Sequence, residues 1–366
     1  MLARSDVTCL VLLVFLLCFG CSGPALTADP PLATSAGAAG AATAGSSGAP
    51  SYGAGGAGGA ALVTMGGGGS TNGGASAGES SGGQAASAGS VGSAGSAGSA
   101  STIIVGTMPP VTDPPPAGWT PVWADEFNAA DGAGVDGSKW HHDTGGDGYG
   151  NQELEYYTDD LLNAQQRAGN LVITATTSGA SGLSCWYGDC KYTSARLLTS
   201  GKFSASYGRI EARIKVPAGK GIWPAFWMLG DDIASARWPN CGEIDIMEAI
   251  GSDPATLHGS LHGPGYSGGS PLTGTTKLPN GAKLSDDFHT YAVEWTPTSV
   301  KFFLDTTLYE TRTPADVPQG SKWVYDHPFF IILNVAVGGQ WPGSPDGTTP
   351  LPAQMLVDYV RVYKAN

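Results

Sequence analysis

Within Cys241-Gly242-Glu243-Ile244-Asp245-Ile246-Met247-Glu248-Ala249-Ile250, three carboxylates stand in a run whose other residues are mostly apolar. Two carboxyl groups facing one glycosidic bond can share its hydrolysis. One attacks the sugar carbon, while the other first protonates the leaving oxygen and then takes a proton from water. Crowding assists this division, because neighbouring acids repel and one of the three should keep its proton at neutral pH. Asp245, between the glutamates, would hydrogen-bond Glu243 and tune it. Taken alone, Glu-x-Asp-x-x-Glu also describes a solvated acidic strand face or a calcium-binding segment.

The carboxyl groups must first point the same way. In a regular strand, residues two apart share a face, so Glu243 and Asp245 point together and Glu248 points away. A β-bulge near Met247 would return Glu248 to their side, and bulges are common where a strand re-aims a side chain beside an active site. On the concave face of a curved sheet, the two glutamates would then approach the roughly 5–5.5 Å separation of retaining glycosidases.

The surrounding sequence supplies such a sheet. Runs such as Leu171–Ala175, Gly208–Val216, Thr290–Trp295, Val300–Asp305 and Met355–Tyr363 favour strands, are punctuated by Gly, Pro and Asn, and face no competing amphipathic helix. In the second run Arg209, Glu211, Arg213 and Lys215 alternate with Ile210, Ala212, Ile214 and Val216, which predicts a sheet with one wet face. The expectation is an all-β domain from residue 117 to 366: a β-jelly-roll sandwich of two large antiparallel sheets with a substrate cleft on the concave face.

Tryptophans follow the same division. All ten lie between Trp119 and Trp341, and Trp223, Trp227, Trp238 and Trp341 stand beside turn residues where a ring could stack on a sugar. For Trp227, core and cleft are equal alternatives. The chain carries 18 basic and 31 acidic residues, a net charge of −13, which argues against nucleic acid or an anionic membrane surface as partner.

Ahead of this domain the composition changes. Arg4 followed by the apolar run Leu10–Leu17 and by Cys18-Phe19-Gly20-Cys21 reads as an export signal over residues 1–21, too short to span a bilayer. Cys21 is the position where bacterial lipoproteins are acylated; lipidation and plain cleavage are both open. Residues 22–116 are rich in Gly, Ala and Ser and end in Pro114-Pro115-Pro116, as expected of a disordered tether. The predicted location is therefore secreted or cell-surface, with a lipid at Cys21 as the only route to a membrane. In that oxidising setting Cys185 and Cys190, five residues apart, should form a local disulfide, leaving Cys241 as a buried apolar residue.

Together, Trp238-Pro239-Asn240-Cys241-Gly242 and Glu243-Ile244-Asp245-Ile246-Met247-Glu248 resemble the signature of glycoside hydrolase family 16, in its laminarinase (endo-β-1,3-glucanase) branch. The resemblance extends from Val122–Phe127, through Gly150–Leu154, Tyr192–Leu197, Ser260–Gly265 and Phe329–Gly343, to Val357–Tyr363. It implies a jelly roll with Glu243 as nucleophile, Glu248 as acid/base and Asp245 as the assisting acid. It places Asn151, Arg196, Trp223, Trp227, Trp238, His262 and Trp341 along the β-glucan. It also implies a structural calcium at Glu126, Gly169 and Asp358, held largely through backbone oxygens, and no cofactor for catalysis. Glu155 and the Cys185–Cys190 loop fall where members of the family vary. A monomer cutting β-1,3-glucan, and mixed-linkage β-1,3/1,4-glucan, is the expectation; a same-family hydrolase of agarose or carrageenan, a non-hydrolytic glucan-binding module and a transglycosylase are the alternatives.

Overall fold

The structure, a computed structural model, describes residues 114–366. The export signal, Cys21 and the tether up to Asp113 lie outside the described residues.

In chain order the strands are β1 (Trp119–Asp125), β2 (His141–Asp143), β3 (Glu155–Tyr157), β4 (Ala164–Arg167), β5 (Asn170–Ala175), β6 (Ser184–Cys185), β7 (Gly188–Asp189), β8 (Tyr192–Ser194), β9 (Arg196–Leu198) and β10 (Gly208–Lys215). They continue with β11 (Ile222–Gly230), β12 (Glu243–Glu248), β13 (Thr256–His262), β14 (Leu272–Lys277), β15 (His289–Thr296), β16 (Ser299–Leu304), β17 (Thr307–Arg312), β18 (Phe329–Val337) and β19 (Ala353–Ala365). The single α-helix among the described residues, α1, is the four-residue turn Ile233–Ala236.

Two large antiparallel sheets account for most of the chain. One runs β17-β16-β15-β10-β19-β5-β4, with β1 also paired to β19; the other runs β14-β13-β12-β11-β18-β9-β2. The main core lies between them. Ile210, Ala212 and Ile214 of β10 and Val360 and Val362 of β19 meet Phe226, Met228, Ile244, Ile331, Leu333 and Val335 of the second sheet. A second, smaller cluster of Trp223, Ala225, Trp227, Leu229, Phe330, Ile332 and Ala336 occupies the alternate positions of β11 and β18, on the opposite face of that sheet. The second sheet thus carries buried apolar residues on both faces, one turned to the core and the other interspersed with Glu243, Asp245, Glu248 and Asn334.

The wet face expected on β10 is only partly wet. Arg213 and Lys215 are half-buried, but Arg209 and Glu211 are buried. Arg209 donates Nε to Glu211 at 2.7 Å and Nη1 to Glu294 at 3.2 Å, and Tyr363 bonds Glu211 at 3.2 Å. Charges paired in this way can be withdrawn from solvent without being left uncompensated.

Candidate active site

Gly242 sets the start of β12: it sits at φ +71°, and a Cβ there would meet Phe329 Cζ at 2.9 Å. From this turn β12 runs between β11 and β13. Glu243 pairs with Leu229, Asp245 with Trp227, Met247 with Phe226 and Glu248 with Ala225, so the register slips by one between Phe226 and Trp227. Ile246 and Met247 both join the main core. The extra residue is the expected bulge, and it places Glu248 on the face of Glu243 and Asp245. On β13, His262, Ser260 and His258 stand opposite the three acids in turn.

The acids sit in a buried, indole-lined floor. Trp238 donates Nε1–H to Glu243 Oε2 at 3.0 Å, and Trp223 donates Nε1–H to Glu248 Oε1 at 3.1 Å. His262 Nε2 lies 3.0 Å from Asp245 Oδ2 and 3.7 Å from Glu243 Oε1. Neither Asp245 oxygen, nor Glu243 Oε1, has a hydrogen-bond partner. Hence Asp245 faces His262 rather than bonding Glu243, and these oxygens remain acceptors for an incoming hydroxyl. Burial pushes Glu243 well above the usual carboxylate range, with Asp245 and Glu248 adding to the effect and the Trp238 hydrogen bond and Arg196 opposing it. Burial and Asp245 likewise push Glu248 up, opposed by Trp223 alone. A site in which like charges crowd in low dielectric retains a proton and can act as acid.

A polar chain crosses the floor from β11 outward. Trp227 Nε1 donates to Asn334 Oδ1 at 2.8 Å, Asn334 Nδ2 to the Tyr157 hydroxyl at 3.1 Å, and Tyr157 to Glu153 Oε2 at 2.9 Å. Asn151 Nδ2 closes it on Glu153 Oε1 at 3.0 Å. Arg196 lies between the rings of Tyr149 and Trp227, at 4.8 and 4.9 Å, and pairs with Asp143 at 3.1 Å.

A family model described as glycosyl hydrolases family 16 matches residues 151–361, more than half of the chain and including all three acids. The chain belongs to that family. The family 16 domain is 44% identical over 258 residues to a β-glucanase of Rhodothermus marinus, covering 67% of this chain and 85% of that relative. It is 37% identical over 283 residues to glucan endo-1,3-β-glucosidase A1 of Niallia circulans, covering 72% of this chain but only 40% of that longer relative. Among solved structures, the laminarinase catalytic domain of Thermotoga petrophila superposes with a TM-score of 0.63 at 47% identity, over 68% of this chain and 98% of that one.

The positions expected to line the family 16 site converge on one face, in different roles. Trp223, the second residue of β11, and Trp227, further along it, are both buried rather than exposed at a turn. Pro224 between them is tolerated because its carbonyl accepts from Ala249 at 3.3 Å, which turns the missing N–H toward the same side, past the end of β12. Asn151, Arg196 and His262 are also buried, whereas Trp238 is half-buried and Trp341 is exposed. Trp341 stands edge-on to Trp223 at 5.4 Å and to His258 at 4.9 Å. Asn334, Tyr157, Glu153, Tyr149 and His258 were not singled out from sequence; Asn334 alone left a signal, as the one polar residue of Phe329–Val337.

Glu243, Asp245 and His262 are the one group among the described residues whose ligand atoms lie within 4.8 Å of one another. Their placement is accounted for by the acid chemistry. The residues expected at calcium lie elsewhere, around β19. β1 ends with Asp125 opposite Val360, and β5 pairs with β19 from Leu171 opposite Val357, so Glu126 follows the first pairing, Gly169 precedes the second, and Asp358 lies between Val357 and Val360. The Glu126 carboxylate is taken by Arg361 at 2.8 and 2.7 Å, and Asp358 Oδ2 accepts from Arg213 at 2.7 Å. What remains is oxygen-only, the donor type a hard cation takes. Cys185 and Cys190 form the expected disulfide, and Cys241 is buried, its thiol pushed up to about 12 by burial.

Proposed function

We propose that the protein is an endo-hydrolase of β-1,3-glucan, cutting laminarin-type chains and β-1,3 bonds of mixed-linkage β-1,3/1,4-glucan with retention of anomeric configuration. The single observation carrying this reading is the bulge that gathers Glu243 and Glu248 on one buried face. Glu243 is the nucleophile: the Trp238 N–H and Arg196 both favour its charged form, whereas Glu248 has only Trp223. A Glu243 oxygen attacks the anomeric carbon, the glycosidic C–O bond breaks, and the leaving oxygen takes the proton of Glu248. Glu248 then removes a proton from water, which displaces Glu243 and restores both groups. Asp245 helps hold both glutamates above the usual carboxylate range.

Reducing-sugar release from laminarin, lichenan, agarose and carrageenan, with product sizing and proton NMR of the first anomer released, tests the reading. Oligosaccharides of β-configuration from laminarin are expected; release from agarose or carrageenan alone, or an inverted product, overturns it. The same products taken at high oligosaccharide concentration separate hydrolysis from transglycosylation.

The reading extends to a monomer exported by residues 1–21, with residues 22–116 as its tether and Cys21 as a lipid anchor. It includes a calcium ion near Asp358, held with backbone oxygens of Glu126 and Gly169, which would tie β1, β5 and β19 together and take no part in catalysis.

A further inference from the structure

Of the large apolar side chains exposed among the described residues, two are aromatic: Trp341 at 37% and Trp186 at 49%. Trp341 is accounted for by its place beside Trp223 and His258. Trp186 belongs to no role described above, and its surroundings hold it rigidly in place. Its indole N–H donates to the Glu153 carbonyl at 2.6 Å, and its backbone N–H to the Gly146 carbonyl at 2.8 Å. Tyr187 stands edge-on to it at 5.4 Å and bonds the Leu154 carbonyl at 2.6 Å. The Cys185–Cys190 disulfide closes the loop on either side.

The loop beneath makes room for this ring. A Cβ on Gly148, which sits at φ +82°, would come within 2.8 Å of Trp186 Cδ1, and one on Gly146 within 2.7 Å of Cys185 Sγ. Two glycines therefore let the disulfide loop lie directly on residues 146–154. Those residues also carry Tyr149, stacked on Arg196, and Asn151, so the ring continues the polar floor of the active site. Between β12 and β9 lie three strand spacings, roughly 14 Å; residues 151–154 bond the end of β18 at Val337, Gly338 and Gln340, and Tyr149 reaches Arg196 of β9. The indole N–H is satisfied, yet about half of the residue is left to solvent, at an unfavourable cost in exposed apolar area.

We propose that Trp186 is a stacking platform for a distal glucose unit of a bound β-glucan chain, at the end of the face remote from the three acids. A sugar ring presents an apolar C–H face that an indole matches, and a side chain already fixed loses little freedom on binding. A chain with a net charge of −13 fits a neutral polymer there. The inference rests on the glucan reading above and adds a length requirement to it.

Calorimetric titration of the E248Q protein with laminari-oligosaccharides of increasing length, with and without W186A, tests the platform. Long chains should bind about fivefold or more weakly to W186A, the trisaccharide should show a much smaller loss, and W186F should recover most of the affinity. Equal losses at every length with no recovery by W186F would make Trp186 a support for the loop and overturn the platform. So would unchanged binding of long chains, or a change confined to self-association in sedimentation. Wild-type protein that leaves laminarin and lichenan intact overturns the glucan reading, and the platform with it; wild-type protein that cleaves laminarin while W186A binds like its parent overturns the platform alone.

Discussion

His262 holds its Nε2 3.0 Å from Asp245 Oδ2, close but without the alignment of a hydrogen bond. The imidazole thereby faces the one acid that acts on both glutamates. Replacing Asp245 by Asn removes a like charge from Glu243 and from Glu248 while keeping the shape of the side chain. Both glutamates should then ionise at lower pH, so both limbs of the kcat/KM profile move to the acid side. A profile that moves the other way contradicts the role given to Asp245.

Trp238 acts on Glu243 alone. Its indole N–H favours the charged carboxylate, and a hydrogen bond to a charged group contributes about 1.5–3 kcal/mol. In W238F the acid limb, set by ionisation of the nucleophile, should move to higher pH by about one unit, with the alkaline limb nearly fixed. Measurement of kcat/KM from pH 4 to 9 distinguishes this from a general loss of activity.

E243Q and E248Q should both lose laminarin hydrolysis, E248Q by roughly 10²–10⁴-fold as expected for an acid/base. They should differ on an aryl glycoside whose phenol leaves without protonation. E248Q should still release a burst of phenol on that substrate, and E243Q should not. The opposite pattern would exchange the two roles.

Glu155 is fully buried beside Glu153, and its Oε2 accepts the Val337 N–H at 2.6 Å. Burial, then the charge of Glu153, pushes its carboxyl well above the usual range. Folded protein therefore keeps a proton that unfolded protein releases near pH 4.5; the associated stability is complete below that pH and is lost as pH rises toward the folded value. Gln supplies the same donor at every pH. E155Q should melt close to wild type at pH 4 and above it at pH 8, by roughly 2–4 °C for each kcal/mol gained. Equal melting temperatures at pH 8 would mean that Glu155 carries no such proton.

Calcium bound near Asp358 would stabilise the folded state by mass action. Addition of EDTA should lower the melting temperature of wild-type protein, and D358N should abolish the difference. Activity per folded molecule should not change, since β19 belongs to the other sheet. An EDTA effect that survives in D358N places the ion elsewhere.

The sequence was most legible where the determinants are local. The spacing of Glu243, Asp245 and Glu248, read against the two-residue period of a strand, required the bulge that Ile246 and Met247 form. The alternation in β10 identified its core side, yet not that Arg209 and Glu211 would be buried, because their partners Glu294 and Tyr363 come from β15 and β19. Pro224 suggested a turn in what is the third residue of β11, since a strand's tolerance of proline depends on where its neighbour ends. Tyr157 and Glu153 could not be found from spacing at all: they reach the floor through Asn334, on a strand far along the chain.

The bulge in β12 also makes the distance between the glutamates along the chain a poor guide to their geometry. Losing one residue between Asp245 and Glu248 would let the strand become regular with both glutamates on the same side, and gaining one would do the same only if the bulge were lost, the glutamates then standing one two-residue step farther apart. Sequences with either of the two shorter separations are therefore synonyms for one stereochemical arrangement. In this fold, single-residue deletion and insertion at the same point are unequal events: the first keeps both the face and the spacing of the glutamates, whereas the second either separates them along the strand or, with the bulge retained, turns a charge into the core.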